Sequence, residues 1–581
     1  MIKRSIVLAI LGLLTWGYGA AAEVTTAEEI GSSLTTPAVP VKSKSFMVAA
    51  ANPYAVEAGY QILKAGGNSI DALVAVQLVL NLVEPQYSGI GGGAFLVYFD
   101  AATRQMQTFD GRETAPLQAT EDLFLDEAGQ PLDFFDAVVG GRSVGVPGTL
   151  KLLETVHDRQ GSLPWADLFA PAIALATDGF IVSPQLAEQI AEDAERLSRY
   201  PSTRAYFFNG DGTPLQAGQR LRNPEFAETL RLIAQSGSEV FYRGDIAADL
   251  TQAVQTVPDN PGLLSLADLA SYQVVEREPV CVVYRLYEVC GMGPPSSGGV
   301  AVGQILGILN AFDLPALGAA DPRSWFLLGE ATRLAYADRA LYLADSDFVP
   351  VPVQGLLAES YLQERSQLIS PDFVALETVK AGTPSGIFPD QSQGQSLEQP
   401  STTHISIVDA AGNAVSLTSS IENQFGSRLM VRGFLLNNQL TDFSFAPEQD
   451  GVLVANRVAP GKRPRSSMAP TLVLQDGQLR MVVGSPGGSR IIGYVVKTIV
   501  AHLDWGLNIQ EAIDFPHRMN RFGTYDLEPA DTTEALATEL EAFGYEVKLQ
   551  EQNSGLHAIV VTPEGLEGGA DLRREGMAKG E

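Results

Sequence analysis

The sequence contains few cysteines and histidines, the residues that most often bind zinc and, for cysteine, form disulfides. Its 581 residues include two cysteines and five histidines. The histidines are His157, His404, His502, His517 and His557. Their spacing does not match the short intervals between ligands in zinc sites, such as two histidines one helical turn apart. We therefore predict neither a metal nor another cofactor.

Positive charge is also scarce. There are 39 lysines and arginines against 68 aspartates and glutamates, which gives a net charge of −29. A surface of this sign repels nucleic-acid phosphates and anionic lipids, so we expect neither as a partner. Hydrophobic residues make up 45% of the chain and charged residues 18%, which is typical of a globular protein with a large core.

Only the N-terminus has the features of an export signal. Lys3 and Arg4 precede an apolar stretch at residues 6–14, and three alanines follow at 20–22. This order predicts a cleaved signal peptide over residues 1–22 and a periplasmic or secreted protein without membrane attachment. The alternative is a membrane anchor, but the apolar stretch is short for spanning a bilayer.

The two cysteines, Cys281 and Cys290, fall in a segment that predicts a β-hairpin. A two-residue turn at residues 285–286 would place them opposite each other at a non-hydrogen-bonded pair. The Cα atoms at such a pair lie about 4.5 Å apart, which suits a disulfide. Free thiols are the alternative, because the turn lacks the usual glycine or asparagine.

Local signals predict alternating helices and strands. Asn52 can cap a helix that ends before Gly66, and residues 70–83 are apolar enough for a second, buried helix. The glycine run at residues 89–93 precedes a strand at 94–99. A dinucleotide-binding loop follows a strand and opens a helix, so this run predicts a structural turn instead.

Residues 380–401 are rich in glycine, serine, proline and glutamine, which predicts a linker. A β-strand pattern begins immediately afterwards at Thr402. A structureless segment inside a compact enzyme is unusual. It indicates either a domain linker or a chain that is cut at the linker's end, between Ser401 and Thr402.

A threonine at a new N-terminus carries both parts of a nucleophilic catalyst. Its hydroxyl attacks, and its own α-amine, which titrates near pH 8, accepts the proton. In enzymes of this class the same hydroxyl first attacks the preceding carbonyl, here that of Ser401. A threonine at the start of a strand is by itself an ordinary residue. The surrounding sequence therefore decides whether a catalytic role is predicted for it.

Several sequence blocks accompany Thr402-Thr403-His404 in a fixed order. They include Leu-Asn-Asn-Gln-Leu-Thr-Asp-Phe at 436–443 and Gly-Ser-Pro-Gly-Gly-Ser at 484–489. The others are residues 89–93, 111–116, 294–299, 426–427 and 462–470. Together they resemble the γ-glutamyltransferase (glutathione hydrolase) family of N-terminal-nucleophile hydrolases, over almost the whole chain after the signal.

The resemblance implies an α/β fold of the α+β type, with two central sheets between helices in a four-layer αββα sandwich. It also implies a precursor that cuts itself. Residues 23–401 would form a large subunit that ends in the flexible linker, and residues 402–581 a small catalytic subunit.

The resemblance also assigns the residues that bind the donor's α-carboxylate. Arg112 would clamp it, since a guanidinium can bind both oxygens, and Ser466 and Ser467 would donate further hydrogen bonds. The alternatives are a surface arginine beside Glu113 and a turn after Pro464.

The donor's α-ammonium needs acceptors. The resemblance assigns Asp442 as the main acid, with Gln439 and Glu422 nearby. Many relatives carry asparagine where this chain has Glu422. Ser420 would hydrogen-bond near the amine or hydroxyl of Thr402, at a position where many relatives carry threonine.

The glycine-rich turn at residues 484–488 separates a predicted strand from a predicted helix at 489–503. Backbone N–H groups at such a turn bind anions. The resemblance assigns Gly487 and Gly488 to the oxyanion hole. A phosphate-binding loop is the alternative, but the Gly-Lys-Ser/Thr ending is missing. His404, on the same face of the strand as Thr402, would support the site or simply pack.

Residues 443–461 would form the loop over the pocket. The loop is intermediate in length between full lids and absent ones, and it lacks an aromatic tip. The sequence therefore leaves open how well the pocket is shielded and how hydrolysis balances transfer.

The predicted reaction begins when Thr402 attacks the γ-carbonyl of a γ-glutamyl compound such as glutathione. Water, or the amine of an amino acid or peptide, then resolves the γ-glutamyl-enzyme ester. One alternative is a glutaryl or cephalosporin-type acylase on the same scaffold, in which Asp442 and Glu422 would lack an ammonium partner. Another is an exported binding protein that never matures.

Overall fold

A computed structural model describes residues 39–386, 391–394, 398–399 and 401–581. The predicted signal peptide, residues 1–22, lies outside the described residues. Within these ranges, none of the helices combines the length and apolar character that are needed to cross a bilayer.

Two seven-stranded sheets form the centre of the fold, and neighbouring strands in both are antiparallel. Sheet A has the spatial order Val41–Ser43, Gly565–Ala570, His557–Thr562, Gln478–Gly484, Thr471–Gln475, Tyr287–Gly291 and Val280–Tyr284. Sheet B has the spatial order Met577–Gly580, Met47–Ala50, Thr403–Val408, Ala414–Ser420, Gly93–Asp100, Gln105–Gly111 and Val275–Arg277.

The two sheets pack face to face. Side chains alternate between the two sides of a strand, so every second residue points between the sheets. Val97 and Phe99 of sheet B share a buried cluster there with Leu472, Val482 and Ile559 of sheet A. This cluster forms the layer between the sheets.

Helices cover the outer faces. Pro53–Lys64 and Ser69–Val83 belong to the large core against sheet B. Gly298–Leu309, Pro322–Tyr342 and Ile491–Leu503 belong to the core against sheet A. The order of layers is therefore helix, sheet, sheet, helix, and the predicted four-layer fold is confirmed.

The remaining elements surround this sandwich. The other α-helices are Phe134–Val138, Thr149–Gln160, Ala170–Asp178, Pro184–Glu192, Ala194–Leu197, Pro201–Phe207, Pro224–Ser236, Glu239–Tyr242, Asp245–Thr256, Leu266–Ser271, Leu314–Leu317, Val353–Leu356, Glu359–Ser366, Ile509–Asp514 and Thr533–Ala542. Short 3-10 helices are Trp165–Phe169, Gln439–Asp442 and Gly488–Arg490. The smaller sheets contain Phe180–Ile181 with Arg220–Leu221, Met430–Val431 with Phe434–Leu435, Glu448–Gln449 with Val452–Leu453, and Arg518–Asn520, Thr524–Leu527 and Glu546–Leu549.

Local capping explains where the first helices begin. The side chain of Asn52 accepts a hydrogen bond from the N–H of Tyr54, as its position before Pro53 predicts. Asn68 and Asp71 form a reciprocal capping box, so the second helix begins at Ser69, one residue earlier than expected. All its residues are buried, which agrees with its apolar sequence.

The predicted helix at 489–503 begins later than expected. A 3-10 turn, Gly488–Arg490, precedes the α-helix Ile491–Leu503. The preceding Gly487 has φ 136°, a conformation that glycine adopts without strain. The backbone therefore turns sharply before the helix starts, which directs its N–H groups towards the chain around Ser401.

The predicted linker has few regular elements where it is described. Ser392 forms a single β-bridge with Val454, and the N–H of Gly394 donates to the carbonyl of Ala340. The bridge holds Ser392 against the segment that was predicted to cover the pocket, and the second bond holds Gly394 against helix Pro322–Tyr342.

The cysteine hairpin consists of Val280–Tyr284 and Tyr287–Gly291 at the edge of sheet A. Cys281 pairs with Cys290 across the hairpin, and a disulfide of S–S distance 2.05 Å joins them at a Cα–Cα distance of 4.1 Å. Arg285 takes the positive φ that a glycine or asparagine would ordinarily supply in this turn.

We predict that replacing both cysteines, as Cys281→Ser with Cys290→Ser, lowers the thermal unfolding midpoint by a few degrees. Closing a loop of this length stabilises a folded chain by about 2–3 kcal/mol, because it restricts the unfolded chain. Differential scanning fluorimetry would measure the change. A reductant should lower the wild-type midpoint similarly and leave the double variant unaffected; equal midpoints without reductant would contradict the prediction.

Candidate active site

Thr402 lies directly before strand Thr403–Val408, in the interior of sheet B. That strand pairs on one side with Met47–Ala50 and on the other with Ala414–Ser420. Thr402 is buried. A residue fixed between two paired strands has little freedom, so the fold holds this threonine in one orientation.

Among the described residues, the hydroxyl of Thr402 has one close side-chain partner. Its Oγ1 lies 3.1 Å from Oγ of Ser420, within hydrogen-bond distance. Ser420 Oγ also accepts a bond from the N–H of Glu422, at 2.9 Å. That bond leaves the Ser420 proton available to the Thr402 oxygen, which orients the predicted nucleophile.

The peptide between Ser401 and Thr402 is held on both sides. The N–H of Gly487 donates to the carbonyl oxygen of Ser401 at 3.0 Å. Arg574 Nη1 donates to the carbonyl oxygen of Thr402 at 2.6 Å. Thr402 has φ 88°, an outlier for a β-branched residue, and such strain costs about 1–3 kcal/mol. The predicted cleavage site is therefore both strained and fixed.

The predicted oxyanion glycines line the same region. Gly487 bonds the carbonyl that Thr402 would attack, and Gly488 lines the adjoining pocket. A Cβ on Gly488 would lie 2.5 Å from the carbonyl oxygen of Gln399, so the backbones approach too closely for any side chain. This geometry suits a pair of N–H groups that stabilise a negative oxygen.

One small pocket brings the predicted residues together. Its volume is about 20 Å³. Its lining consists of Arg112, Glu398, Gln399, Thr402, Ser420, Glu422, Gln439, Asp442, Ser466, Ser467, Met468, Gly488 and Ile491. Every residue predicted to bind the substrate therefore faces the nucleophile's pocket.

Arg112 and Asp442 form a buried ion pair, with Nη2 and Oδ2 2.5 Å apart. Gln439 Nε2 donates to the same oxygen of Asp442 at 2.7 Å. Arg112 Nε also donates to the carbonyl of Pro464 at 3.2 Å. Arg112 is fully buried, so the alternative of a surface arginine beside Glu113 is wrong. Opposite charges at adjacent points match the zwitterionic end of an α-amino acid.

Two buried acids in this pocket have different electrostatic surroundings. Burial raises the pKa of Asp442 to about 6, with Arg112 acting in the opposite direction. Burial raises the pKa of Glu422 well above its usual range, and the charge of Asp442 raises it further. Near neutral pH, Asp442 is therefore ionised and Glu422 is a neutral acid. A neutral Glu422, like the asparagine that many relatives carry here, can both donate and accept hydrogen bonds without carrying a charge.

Ser467 already binds a carboxylate of the linker. Its Oγ donates to Glu398 at 2.5 Å and accepts from Arg339 Nη2 at 2.7 Å, and Arg339 also pairs with Glu398. Ser466 Oγ accepts from the N–H of Met468 at 3.1 Å. The serines thus lie at a point where the site binds a carboxylate, here supplied by the chain itself.

Sequence reasoning missed Arg339, Glu398 and Arg574. Arg339 lies in the last turn of helix Pro322–Tyr342, and Arg574 lies 172 residues beyond Thr402 in the chain. Neither stands in a motif that marks an active site. Only the folded contacts identify them.

His404 packs beneath the glycine turn that follows strand Gln478–Gly484. Its Nδ1 lies 2.9 Å from Thr418 Oγ1, and its Nε2 lies 3.1 Å from Ser406 Oγ. Burial lowers its pKa well below the usual range, so the ring is neutral. A Cβ on Gly484 would lie 2.2 Å from the ring, which shows how closely the imidazole packs under the glycine turn.

A serine-hydrolase-like sequence, Gly-Arg-Ser-Val-Gly, occurs at residues 141–145. It lies in turns rather than between a strand and a helix. Ser143 Oγ donates to the carbonyl of Val138 at 2.7 Å, so its hydroxyl closes a local turn. This sequence has no nucleophilic role.

The predicted lid, residues 443–461, folds onto the body of the protein. It contains the short hairpin Glu448–Gln449 and Val452–Leu453. Phe445 stacks on Phe124, with ring centroids 4.6 Å apart. The segment is therefore anchored by packing at its beginning, and its hairpin is exposed.

Comparison with known proteins agrees with this geometry. The family model described as Gamma-glutamyltranspeptidase matches residues 55–581. The "Glutathione hydrolase proenzyme" of Bacillus subtilis (strain 168) is 40% identical over 552 residues, which cover 92% of each chain. The chain belongs to the γ-glutamyltranspeptidase family. The match extends across the described site and on both sides of Thr402.

Acylases are also among the similar proteins. The "Acylase ACY 1 proenzyme" of Pseudomonas sp. (strain V22) is 38% identical over 92% of this chain and 94% of its own. The crystal structure of a cephalosporin acylase from Bacillus halodurans superposes with a TM-score of 0.84 at 27% identity, covering 96% of this chain and 99% of that one. The scaffold is thus shared, and the substrate depends on the pocket's side chains.

We predict that Glu422→Gln retains most activity near neutral pH, whereas Glu422→Ala loses it. Glutamine keeps a neutral side chain that can accept from Asn438, whereas alanine leaves one of the two Asn438 amide bonds unmade, at a cost of about 1–3 kcal/mol. The measurement is kcat/KM for a γ-glutamyl anilide, expected to fall about tenfold or more in the alanine variant only. Equal losses in both variants would mean that Glu422 acts as an anion.

Proposed function

We propose that this chain is a self-cleaving γ-glutamyltransferase and glutathione hydrolase in which Thr402 is the nucleophile. The observation that carries the proposal is the arrangement around one peptide bond. The Thr402 hydroxyl is oriented by Ser420, and the carbonyl of Ser401 already accepts a bond from Gly487. Nucleophile, target and oxyanion donor thus meet before any substrate is present.

In the proposed maturation, Thr402 Oγ1 attacks the carbonyl carbon of Ser401. The C–N bond breaks, the α-amine of Thr402 is released, and an ester joins the two residues. Water hydrolyses the ester, which leaves chains 23–401 and 402–581. The strained φ of Thr402 favours this step, because opening the bond removes the constraint.

Maturation also makes room for a substrate. In the intact chain Glu398 and Gln399 line a pocket of about 20 Å³, far less than a γ-glutamyl group needs. Once the bond opens, the end of the large subunit is free to leave. Ser467 then exchanges the carboxylate of Glu398 for the α-carboxylate of the donor.

The proposed donor carries an α-amino acid at one end and the reacting γ-carbonyl at the other. Arg112, Ser466 and Ser467 bind the α-carboxylate. Asp442, ionised near neutral pH, binds the α-ammonium together with Gln439. Glutathione has this head group, and an amino acid or peptide amine is the acceptor for transfer.

In the proposed reaction, the new α-amine of Thr402 accepts the hydroxyl proton as the γ-carbonyl is attacked. A terminal amine titrates near pH 8, so it is an effective base near neutral pH. Gly487 and Gly488 stabilise the oxyanion, and one such donor is typically worth about 3–4 kcal/mol. The base exists only after cleavage, so maturation and activity depend on the same bond.

We also propose export, because the N-terminal residues 1–22 have the order of a signal peptide. Whether the mature protein is periplasmic or secreted is decided by the host's envelope. The disulfide of Cys281 and Cys290 suits an oxidising compartment.

We expect Thr402→Ala to block both chain cleavage and turnover, because it removes the attacking oxygen. A denaturing gel should show a single chain, and γ-glutamyl anilide hydrolysis should be undetectable. Thr402→Ser is the matched control, which keeps the hydroxyl and should yield two chains. The new N-terminus should begin Thr-Thr-His in the wild-type protein and Ser-Thr-His in the control; two chains in the alanine variant would refute the self-cleavage mechanism.

We expect the wild-type enzyme to prefer a γ-glutamyl anilide over the matching glutaryl anilide by at least about a hundredfold, since only the first pairs with buried Asp442. Asp442→Asn should reduce this preference by weakening γ-glutamyl turnover. The ratio of kcat/KM values measures the effect. A wild-type preference for the glutaryl compound would favour the acylase alternative.

A further inference from the structure

A second, larger cleft adjoins the small pocket. Its volume is about 390 Å³, within the range that holds an amino acid or short peptide. Gln399, at the end of the linker, lines both cavities, so they are adjacent at this residue. None of the residues assigned to the donor's head group lines this cleft.

Two residues that line the cleft connect it to the surroundings of Thr402. Asn423 lines it directly beside Glu422, which belongs to the small pocket. Asn553 also lines it and accepts a bond from Arg574 Nε at 2.8 Å. Arg574 in turn holds the carbonyl of Thr402. Two of the residues that line the cleft are therefore next to groups that line the small pocket or bond Thr402.

Asn423 has an unused hydrogen-bond acceptor. Only 7% of the residue is exposed. Its Oδ1 has no hydrogen-bond partner among the described residues. Its backbone N–H donates to Asn438 Oδ1 at 2.9 Å, which fixes its position. A buried acceptor without a partner is costly, so it indicates a ligand N–H at this point.

Arg196 supplies positive charge at the other part of the cleft. Its Nη1 pairs with Asp193 at 3.0 Å, and its guanidinium lies 3.6 Å from the ring centroid of Phe135. Asp193 is already paired with buried Arg428, through Nε at 2.8 Å and Nη2 at 3.0 Å. One carboxylate thus faces two guanidinium groups. Glu192, also at the cleft, is exposed, so its charge is screened by solvent.

Arg196 therefore retains capacity for a second anion. In the described part of the chain, no group bonds its Nε or Nη2. Its side chain is 36% exposed and rests on an aromatic ring, which orients the planar guanidinium. A free carboxylate matches the two available N–H directions.

We propose that this cleft binds the leaving part of the donor and then the acceptor, with an amine N–H on Asn423 and a free carboxylate on Arg196. The proposal rests on the proposed function. The preference for acceptors with a free carboxylate then depends on Arg196, which lies outside the small pocket. In this arrangement the small pocket binds only the γ-glutamyl part of the donor, and the cleft binds the rest.

Every atom of the proposed transfer step is accounted for. The acceptor's neutral amine nitrogen attacks the ester carbonyl, an N–C bond forms, and the bond from that carbon to Thr402 Oγ1 breaks. The amine's proton passes to the α-amine of Thr402 and from there to Oγ1. The hydroxyl is regenerated and the γ-glutamyl group leaves on the acceptor.

The test compares acceptors that differ only in the carboxylate. The KM of glycylglycine and that of glycylglycinamide are measured with a γ-glutamyl anilide as donor. In parallel, hydrolytic kcat/KM is measured for glutathione and for its C-terminal amide, so that an enzyme without transfer is still tested. The preference for the free carboxylate is expected to fall about tenfold in Arg196→Gln and partly to return in Arg196→Lys.

Arg199→Gln is the matched control. Arg199 lies three residues further on, pairs with Asp259, and does not line the cleft. Its replacement should leave the carboxylate preference unchanged. The thermal midpoint and chain cleavage of each variant show whether folding is intact.

An unchanged carboxylate preference in Arg196→Gln, or an equal loss in Arg199→Gln, would overturn the proposal. Failure of the proposed function is distinct from either result. In that case the wild-type enzyme would not release anilide from the γ-glutamyl donor at all.

Discussion

The structure depends on how the backbone around Thr402 is held. The carbonyl before it accepts from Gly487, the carbonyl after it accepts from Arg574, and its hydroxyl meets Ser420. These partners come from a glycine turn, the C-terminal segment and a neighbouring strand. The two-sheet sandwich is what brings the three together, so the precision of the nucleophile is a property of the whole fold.

The two acids of the pocket differ in charge state, and this difference gives them different binding properties. Asp442 lies against Arg112 and remains ionised near neutral pH, whereas Glu422 is neutral because it is buried beside another acid. Two ionised carboxylates so close would repel each other without two cations to balance them. One acid is therefore free to bind an ammonium, and the other contributes hydrogen bonds. The same principle explains how a glutamate can stand where an asparagine is expected.

Much of this arrangement was predictable from the sequence because its signals are local or repeated in blocks. Helix Ser69–Val83 followed from an apolar run, and strand Thr403–Val408 from alternation. The contacts of Arg112 did not follow, since its partner Asp442 is 330 residues away and the pair forms only on folding. Arg339 and Arg574 were missed for the same reason. The family blocks identify residues, whereas charge pairing between them is a tertiary property.

The linker explains why binding and maturation are coupled in the proposed reaction. In the intact chain Ser467 and Arg339 bind the carboxylate of Glu398, and Gly487 binds the carbonyl of Ser401. Both interactions are intramolecular, so a free substrate competes against a very high local concentration of the linker. Cutting the bond after Ser401 removes that advantage and creates the amine base. Cleavage thus frees the pocket, opens it to the adjacent cleft and supplies the catalytic base. An uncut chain has every binding residue in place, but it cannot bind and convert a substrate in the proposed reaction.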